Sequence, residues 1–245
     1  MNFNPYLTIY YPDLKNEELS FDREIGWIFL KNLDNRLGLR QHRVNITIED
    51  SNSVNYNRRF FKSIFEHFIG IDWKEFQSKD MQDKKIQLLK IIYNGFLSLA
   101  EEFDWDKEII IDTYSKSLND NYLFNYKTEP KMNRQKKIES YIKLDIHGSI
   151  AKISAIAMNK ITNETTIKEL LITDEDNLSW WREIREYGWL DNSHFGLKLK
   201  KGEIWLTLNV ETKEIKNIFK PKNKTLEQLE TFMTELQTIR SWGDE

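Results

Sequence analysis

The spacing of apolar residues changes near the middle of the chain. Before about residue 118, apolar side chains recur mainly at three- and four-residue steps, which is the period of an amphipathic helix. Beyond about residue 121, short runs alternate apolar and polar residues between turn signals, which is the period of half-buried strands. The chain is therefore predicted to have an α+β fold, helix-rich at its N-terminal end and antiparallel at its C-terminal end.

Two strands interrupt the helical pattern of the N-terminal part. Residues 5–11 (PYLTIYY) and 43–50 (RVNITIED) alternate apolar and polar side chains. Residues 18–38, between them, predict a helix that is apolar around most of its circumference. Residues 55–118 predict further helices, the last beginning near Asp104. Their many aromatic residues are expected in a helix–helix core rather than in a cofactor pocket.

The C-terminal part is predicted to form two antiparallel meanders. Three alternating runs lie between residues 142 and 173, and three more lie between residues 195 and 219. A long terminal helix begins at Thr225, which with Gln228 matches a capping box ahead of an apolar stripe. This helix and a short tryptophan-rich helix are expected to cover the sheet.

The order of these elements repeats. Three strands and a short helix are followed by three strands and a long helix, and residues 148–150 (GSI) and 202–204 (GEI) take comparable positions. Such an order is typical of a duplicated half. The shared residues are few, and charged β-rich segments also produce them by chance, so duplication and coincidence both fit the sequence.

Residues 177–192 (NLSWWREIREYGWLDN) contain three of the eight tryptophans. On a helix, Trp180, Trp181 and Tyr187 share one face, and charged residues occupy the other. One interpretation is that this face covers the second meander as core. The other is that it meets a partner, because tryptophan and arginine dominate protein interfaces. The candidate protein-binding residues are Trp180, Trp181, Arg182, Arg185 and Trp189.

The composition excludes several kinds of chemistry. The 245 residues include no cysteine, so disulfides, thiolate metal sites and a cysteine nucleophile are ruled out. A net charge of −3 provides no overall field for nucleic acid or an anionic membrane. The first residues lack a signal-peptide pattern, and no apolar run approaches the ~18 residues of a membrane span, so a cytoplasmic protein is expected.

No catalytic motif is evident. The four histidines are scattered without zinc-binding spacing, and the glycine-rich phosphate-binding motifs are missing, so no metal or cofactor is predicted. Asp191 followed by Glu211 and Lys213, or by Glu214 and Lys216, matches the residue pattern of a metal-dependent nuclease. In a highly charged chain Glu-x-Lys also arises by chance, and Lys213 lies in a predicted turn rather than a strand. The basic run at 132–137 is expected to be a solvated loop, so nucleic acid is not an expected partner.

With no catalytic motif and no basic surface evident, the sequence favours a protein that works by binding another protein. The leading hypothesis is a binding module, possessing no catalysis of its own, of the inhibitor or immunity type. The alternative is an enzyme of nuclease-like hydrolase type, with a carboxylate or metal site at Asp104, Asp106, Asp145 or Asp191. A purely structural subunit is a third hypothesis.

The two predicted parts span residues 1–126 and 138–245. A polar stretch at 127–137 separates them, and no Gly-, Ser- or Pro-rich linker marks the boundary. One continuous domain and two domains both fit this pattern.

Overall fold

A computed structural model describes residues 7–10, 21–34, 36–39, 43–50, 59–61, 63–147, 150–174 and 186–237. Helices and antiparallel sheets both occur, which confirms the α+β class. The chain divides into an N-terminal unit, Phe3–Phe124, and a C-terminal unit, Met1–Asn2 with Asn125–Glu245. None of the described helices is both long enough and apolar enough to cross a membrane.

The N-terminal unit contains a four-stranded mixed sheet. Its strands are β1 (Leu7–Tyr10), β2 (Arg43–Asp50), β3 (Arg59–Phe61) and β4 (Ile64–Ile71), in the order β1-β2-β4-β3. Strands β1, β2 and β4 are parallel, and β3 runs antiparallel to β4. Helix α1 (Asp22–Leu33) lies between β1 and β2 in the chain, as expected of a crossover between parallel strands.

Two of these strands correct the sequence prediction. Residues 59–61 and 64–71 fall in the region predicted as helical, and the N-terminal part was expected to hold only two strands. A short apolar run fits the period of a helix and of a buried strand equally well. Aromatic and β-branched residues predominate in this run, and β4 lies beside β2, so strand pairing prevails over the apparent helical spacing.

The remaining helices of this unit are α2 (Trp73–Ser78), α3 (Met81–Phe103) and α4 (Lys107–Asn119). Each follows an aspartate whose carboxylate accepts a backbone N–H of the first turn, an N-cap arrangement. These caps are Asp72 to Glu75 at 2.9 Å, Asp80 to Asp83 at 2.8 Å and Asp106 to Glu108 at 2.9 Å. The helix predicted to begin near Asp104 is thus confirmed, with its cap at Asp106.

Helix α3 packs closely on the sheet. A Cβ added at Gly95 would lie 3.0 Å from Ile46 Cδ1, so the missing side chain lets the helix approach β2. Val44, Ile46 and Ile48 of β2 are buried on this side. Lys85 of α3 forms a buried ion pair with Glu24 of α1, with 2.8 Å between Nζ and Oε2.

The C-terminal unit is built from two antiparallel sheets. The first contains β5 (Phe124–Lys127), β7 (Ile138–His147), β8 (Ile150–Asn159) and β9 (Thr165–Asp174) in that order, with β6 (Lys131–Met132) paired to β7. The second contains β10 (Glu186–Trp189), β11 (His194–Leu199), β12 (Ile204–Asn209) and β13 (Ile215–Phe219), in sequence order. Both predicted meanders are confirmed.

The two sheets pack against each other. Strand β7 contacts β10 and β11, and β9 contacts β12 and the terminal helix α5 (Leu226–Gln237). Each sheet buries one face, because alternate side chains point inward. Fully buried residues of these faces include Ile142, Leu144, Ile153, Phe195, Leu197 and Leu206.

The terminal helix confirms the predicted capping box. The Gln228 N–H donates to Thr225 Oγ1 at 3.3 Å, and the Thr225 N–H donates to Gln228 Oε1 at 3.1 Å. Leu229 and Met233 are buried on its inner face. Local sequence signals therefore suffice for this element.

The predicted tryptophan-rich helix is corrected at its C-terminal end. Residues 175–185 lie outside the described residues, but Glu186–Trp189 form strand β10. Tyr187 and Trp189 alternate with Gly188 and pair with β11. Pairing with an existing sheet edge outweighs a local helical pattern, because it satisfies backbone groups and packs both rings on Phe195.

Candidate functional site

Tyr187 and Trp189 of β10 form, with Lys131 of β6, a surface that we call the aromatic edge. Within the described residues, β10 pairs with β11 only. The Leu190 N–H donates to the His194 carbonyl at 2.9 Å, and hydrogen-bonded pairs alternate along an antiparallel ladder. The backbone polar groups of Tyr187 and Trp189 therefore point away from β11, toward the outer side of the sheet.

Lys131 holds the outer side of this strand. Its ammonium donates to the Tyr187 carbonyl at 2.7 Å and lies 4.0 Å from the centroid of the Tyr187 ring. The Trp189 indole N–H donates to the Lys131 carbonyl at 2.9 Å, and its ring is half-buried, 5.2 Å from Phe195 between centroids. The Trp189 side chain is thus partly exposed and is held in place by these contacts. It presents an anchored ring at the edge of the sheet.

Trp189 is the only one of the five predicted binding residues that the structure describes. Trp180, Trp181, Arg182 and Arg185 lie outside the described residues. The structure places Trp189 beside Tyr187 and Lys131, two residues that the sequence did not single out as a site with it.

Four loops lie next to each other beyond the strand ends, and we call them the loop ring: residues 133–138, 159–164, 190–194 and 209–214. Each contains an Asn or Asp whose Oδ1 accepts two backbone N–H groups of its own loop, which fixes the loop shape. The acceptors and donors are Asn133 with Lys137 and Ile138, Asn159 with Ile161 and Thr162, Asp191 with Ser193 and His194, and Asn209 with Glu211 and Thr212, at 2.8–3.2 Å.

Contacts between neighbouring loops close the ring. The Asn133 amide donates to the Asn192 carbonyl at 3.4 Å, and the Val210 N–H donates to the Ser193 carbonyl at 2.8 Å. Lys213 of the 209–214 loop forms an ion pair with Glu164 of the 159–164 loop, which is the third link. The Lys160 N–H donates to the Lys137 carbonyl at 2.8 Å, which returns to the first loop. Every loop is therefore held both by itself and by two neighbours.

His194 and Asp191 form one joint of the ring. Because Asn209 Oδ1 already accepts two backbone N–H groups, its Nδ2 is the atom that lies 3.3 Å from His194 Nε2. Nδ2 only donates, so His194 Nε2 accepts and the ring proton lies on Nδ1, which is 2.9 Å from Asp191 Oδ2. Both nitrogens of the imidazole are thereby engaged in holding the loops together.

The carboxylate of Asp191 is stabilised as an anion. Burial acts to raise its pKa, but hydrogen bonds from the backbone N–H groups of Ser193 and His194 and from the His194 ring lower the pKa below its usual value. An anionic Asp191 that accepts these bonds serves as a structural anchor.

The other carboxylates considered for catalysis lie at positions with structural roles. Asp104 ends α3 in the left-handed conformation, Asp106 caps α4, and Asp145 pairs with Lys143 at 2.7 Å. Glu211 lies in a turn. Across the described ranges, no group of three or more His, Asp or Glu side chains is arranged to hold a metal ion.

Sequence reasoning missed the asparagines of the loop ring. Their signal was present in two segments, NKITNE at 159–164 and NVETKE at 209–214, which share Asn, Thr and Glu at the same spacing. Asparagine at the start of a turn is a familiar signal. That these turns meet in space depends on sheet packing and has no local signature.

Comparisons with protein families, with curated proteins and with solved structures give no match for this chain.

Proposed function

We propose that the chain is a protein-binding module of the inhibitor or immunity type, and that the loop ring and the adjoining aromatic edge form its contact surface. The observation that carries this proposal is the closed set of hydrogen bonds that holds four loops in one arrangement. Association orders flexible groups at a free-energy cost, so a surface that is already ordered binds more tightly for the same contacts.

The aromatic edge supports the same proposal. Trp189 precedes the 190–194 loop directly and presents a half-buried ring, and tryptophan is the residue type most enriched where truncation weakens binding. An inhibitor or immunity protein needs a rigid scaffold and a complementary patch, and these two surfaces together supply both. Such a protein needs no reactive group.

A nuclease-like hydrolase is the less favoured proposal. The carboxylates of Asp106, Asp145 and Asp191 are engaged by a helix N-terminus, by Lys143 and by the 190–194 loop, and Asp104 serves the fold as the C-cap residue of α3. A hydrolase would predict that millimolar Mg²⁺ or Mn²⁺ raises the melting temperature by binding to the folded state. An unchanged melting temperature would argue against it.

The proposal is tested by affinity capture from a lysate of the source organism, read by quantitative mass spectrometry. We expect one stoichiometric partner with the wild-type chain and its loss with Trp189→Ala. Trp205→Ala is the matched control, because Trp205 is also half-buried but points to the opposite face of the same sheet.

Circular dichroism and thermal melting of both variants show that they are folded. A partner that binds equally well to both variants would show that the aromatic edge is not part of the contact surface. Capture of no stoichiometric partner by the wild-type chain would overturn the proposed function.

A further inference from the structure

Resting on the proposed function, we infer that the partner is a folded protein that receives Ile161 in an apolar pocket and that places acidic groups opposite residues 134–137 and basic groups opposite residues 211–214.

Ile161 is the projecting apolar group of the loop ring. Its side chain is 69% exposed, more than that of any other exposed large hydrophobic residue in the described part of the chain. Its backbone N–H donates to Asn159 Oδ1 at 2.9 Å, and the neighbouring Lys160 N–H donates to Lys137 at 2.8 Å. The side chain therefore projects from a fixed backbone, so little backbone entropy is lost when it is bound.

The equivalent turn shows that the fold does not need an apolar residue at this point. The 209–214 turn makes the same hydrogen bonds as the 159–164 turn, and Glu211 takes the position of Ile161. A solvated glutamate suffices for the turn geometry. The turn geometry therefore does not account for an isoleucine at position 161, and we assign its exposed side chain to contact with the partner.

The charges around Ile161 have opposite signs on two sides of the ring. Arg134, Lys136 and Lys137 are exposed on the 133–138 loop, which contains no acidic residue. Glu211 and Glu214 are exposed on the 209–214 turn, where Lys213 is paired with Glu164. A polyanion such as duplex DNA would meet both signs, whereas a folded protein can match each of them.

The test uses the partner identified by capture and measures its affinity and association rate for purified variants by biolayer interferometry. Ile161→Asp is expected to weaken binding by at least about tenfold, since it places a charge in an apolar pocket. Ile167→Asp is the matched control: it is the same substitution at an isoleucine that is 63% exposed on β9, outside the loop ring. It should change the affinity less than about twofold.

The charge arrangement is tested with Arg134→Glu/Lys136→Glu/Lys137→Glu, which should slow association at low salt and reduce its dependence on salt. Lys74→Glu/Lys90→Glu/Lys220→Glu is the control, because it makes the same charge change at exposed lysines outside the ring. Melting curves of all variants establish that they are folded before binding is compared.

The outcomes separate the two proposals. If a partner is captured but Ile161→Asp binds it as tightly as the wild type does, this inference is overturned and the proposed function stands. If the occupant of the ring is a second copy of the chain, shown by sedimentation, or a 30-bp DNA duplex, shown by fluorescence anisotropy, the inference is also overturned. If no partner exists, the proposed function fails and this inference fails with it.

Discussion

Asn159 and Asn209 hold equivalent positions in two hairpin turns of the C-terminal unit. In each turn the side-chain Oδ1 accepts the backbone N–H groups two and three residues ahead, and the carbonyl accepts the N–H four residues ahead at 2.8 Å. One turn joins β8 to β9, and the other joins β12 to β13. The same turn therefore forms wherever Asn, Thr and Glu occur at this spacing between two antiparallel strands.

Removing either asparagine side chain should destabilise the C-terminal unit. Asn159→Ala and Asn209→Ala each leave two backbone N–H groups without their acceptor, and we expect a loss of about 1 kcal/mol in the free energy of unfolding. Asn209→Ala should have the larger effect, because it also removes the contact with His194. Urea denaturation measures the change.

Asn192→Ala is the control for both variants, since its backbone carbonyl, rather than its side chain, joins the loop ring. An effect of Asn192→Ala as large as that of Asn209→Ala would contradict the role given to the asparagine oxygen.

Alanine at Gly196 should disrupt the second sheet. A Cβ at this position would lie 1.8 Å from the Leu206 carbonyl oxygen, and the backbone of β12 cannot move away without breaking its ladder. We expect a destabilisation of about 3 kcal/mol or more. Gly26→Ala is the contrasting variant: its Cβ meets side-chain atoms at an ordinary 3.5 Å, and alanine favours helix α1, so stability should rise by roughly 0.5 kcal/mol. Thermal melting distinguishes the two, and similar losses would contradict the steric argument.

Glu203→Gln should make the protein less stable at neutral pH and less sensitive to acid. Hydrogen bonds from the backbone N–H groups of Asn223, Lys222 and Lys224 lower the pKa of the Glu203 carboxyl below its usual value. A lowered folded-state pKa means that the carboxylate stabilises the fold fully above the usual pKa of about 4.3 and loses this contribution as pH falls through the folded-state value.

The stability difference between wild type and Glu203→Gln should therefore be largest near neutral pH and shrink below about pH 4. Melting temperatures measured from pH 7 to pH 3 follow this difference. A difference that stays constant over the whole range would show that the carboxylate charge does not contribute.

Replacing only one member of the buried Glu24–Lys85 ion pair should strongly destabilise the protein. Lys85→Met leaves the Glu24 charge buried without its cation, and we expect a loss of about 3 kcal/mol. Glu24→Leu/Lys85→Met removes both charges and should recover most of that loss, because apolar residues replace a desolvated pair. Chemical denaturation measures the free energy of unfolding of the single and double variants. A double variant less stable than Lys85→Met would contradict this expectation.

Sequence reasoning succeeded where an element carries its own local signals. The terminal helix has a capping box and a continuous apolar stripe, and the helix near Asp104 has an aspartate cap and a clear period. Reasoning failed at β3 and β4, where a short aromatic run fits two periods, and at Glu186–Trp189, where a helical pattern continues into a strand. The missing information at both places is which sheet edge lies nearby.

The candidate site divides in the same way. Trp189 was identified from residue type alone. Tyr187 shares its face because residues 186–189 form a strand, and Lys131 joins them because β6 lies beside β10 in the folded unit. Asn133 and Asn192 are 59 residues apart, and no pattern along the chain relates them. The sheets bring such residues together once their buried faces pack.

The sequence by itself determined the α+β class, the two meanders, the terminal helix and the absence of cysteine chemistry, because each depends on residue type or on spacing within one element. Only the tertiary structure decided the parallel pairing of β4 with β2, the strand at Glu186–Trp189 and the closure of the loop ring. Those features depend on contacts between residues far apart in the chain. Such contacts stabilise the fold only after the core has brought their elements together, because closing the long intervening loops costs entropy.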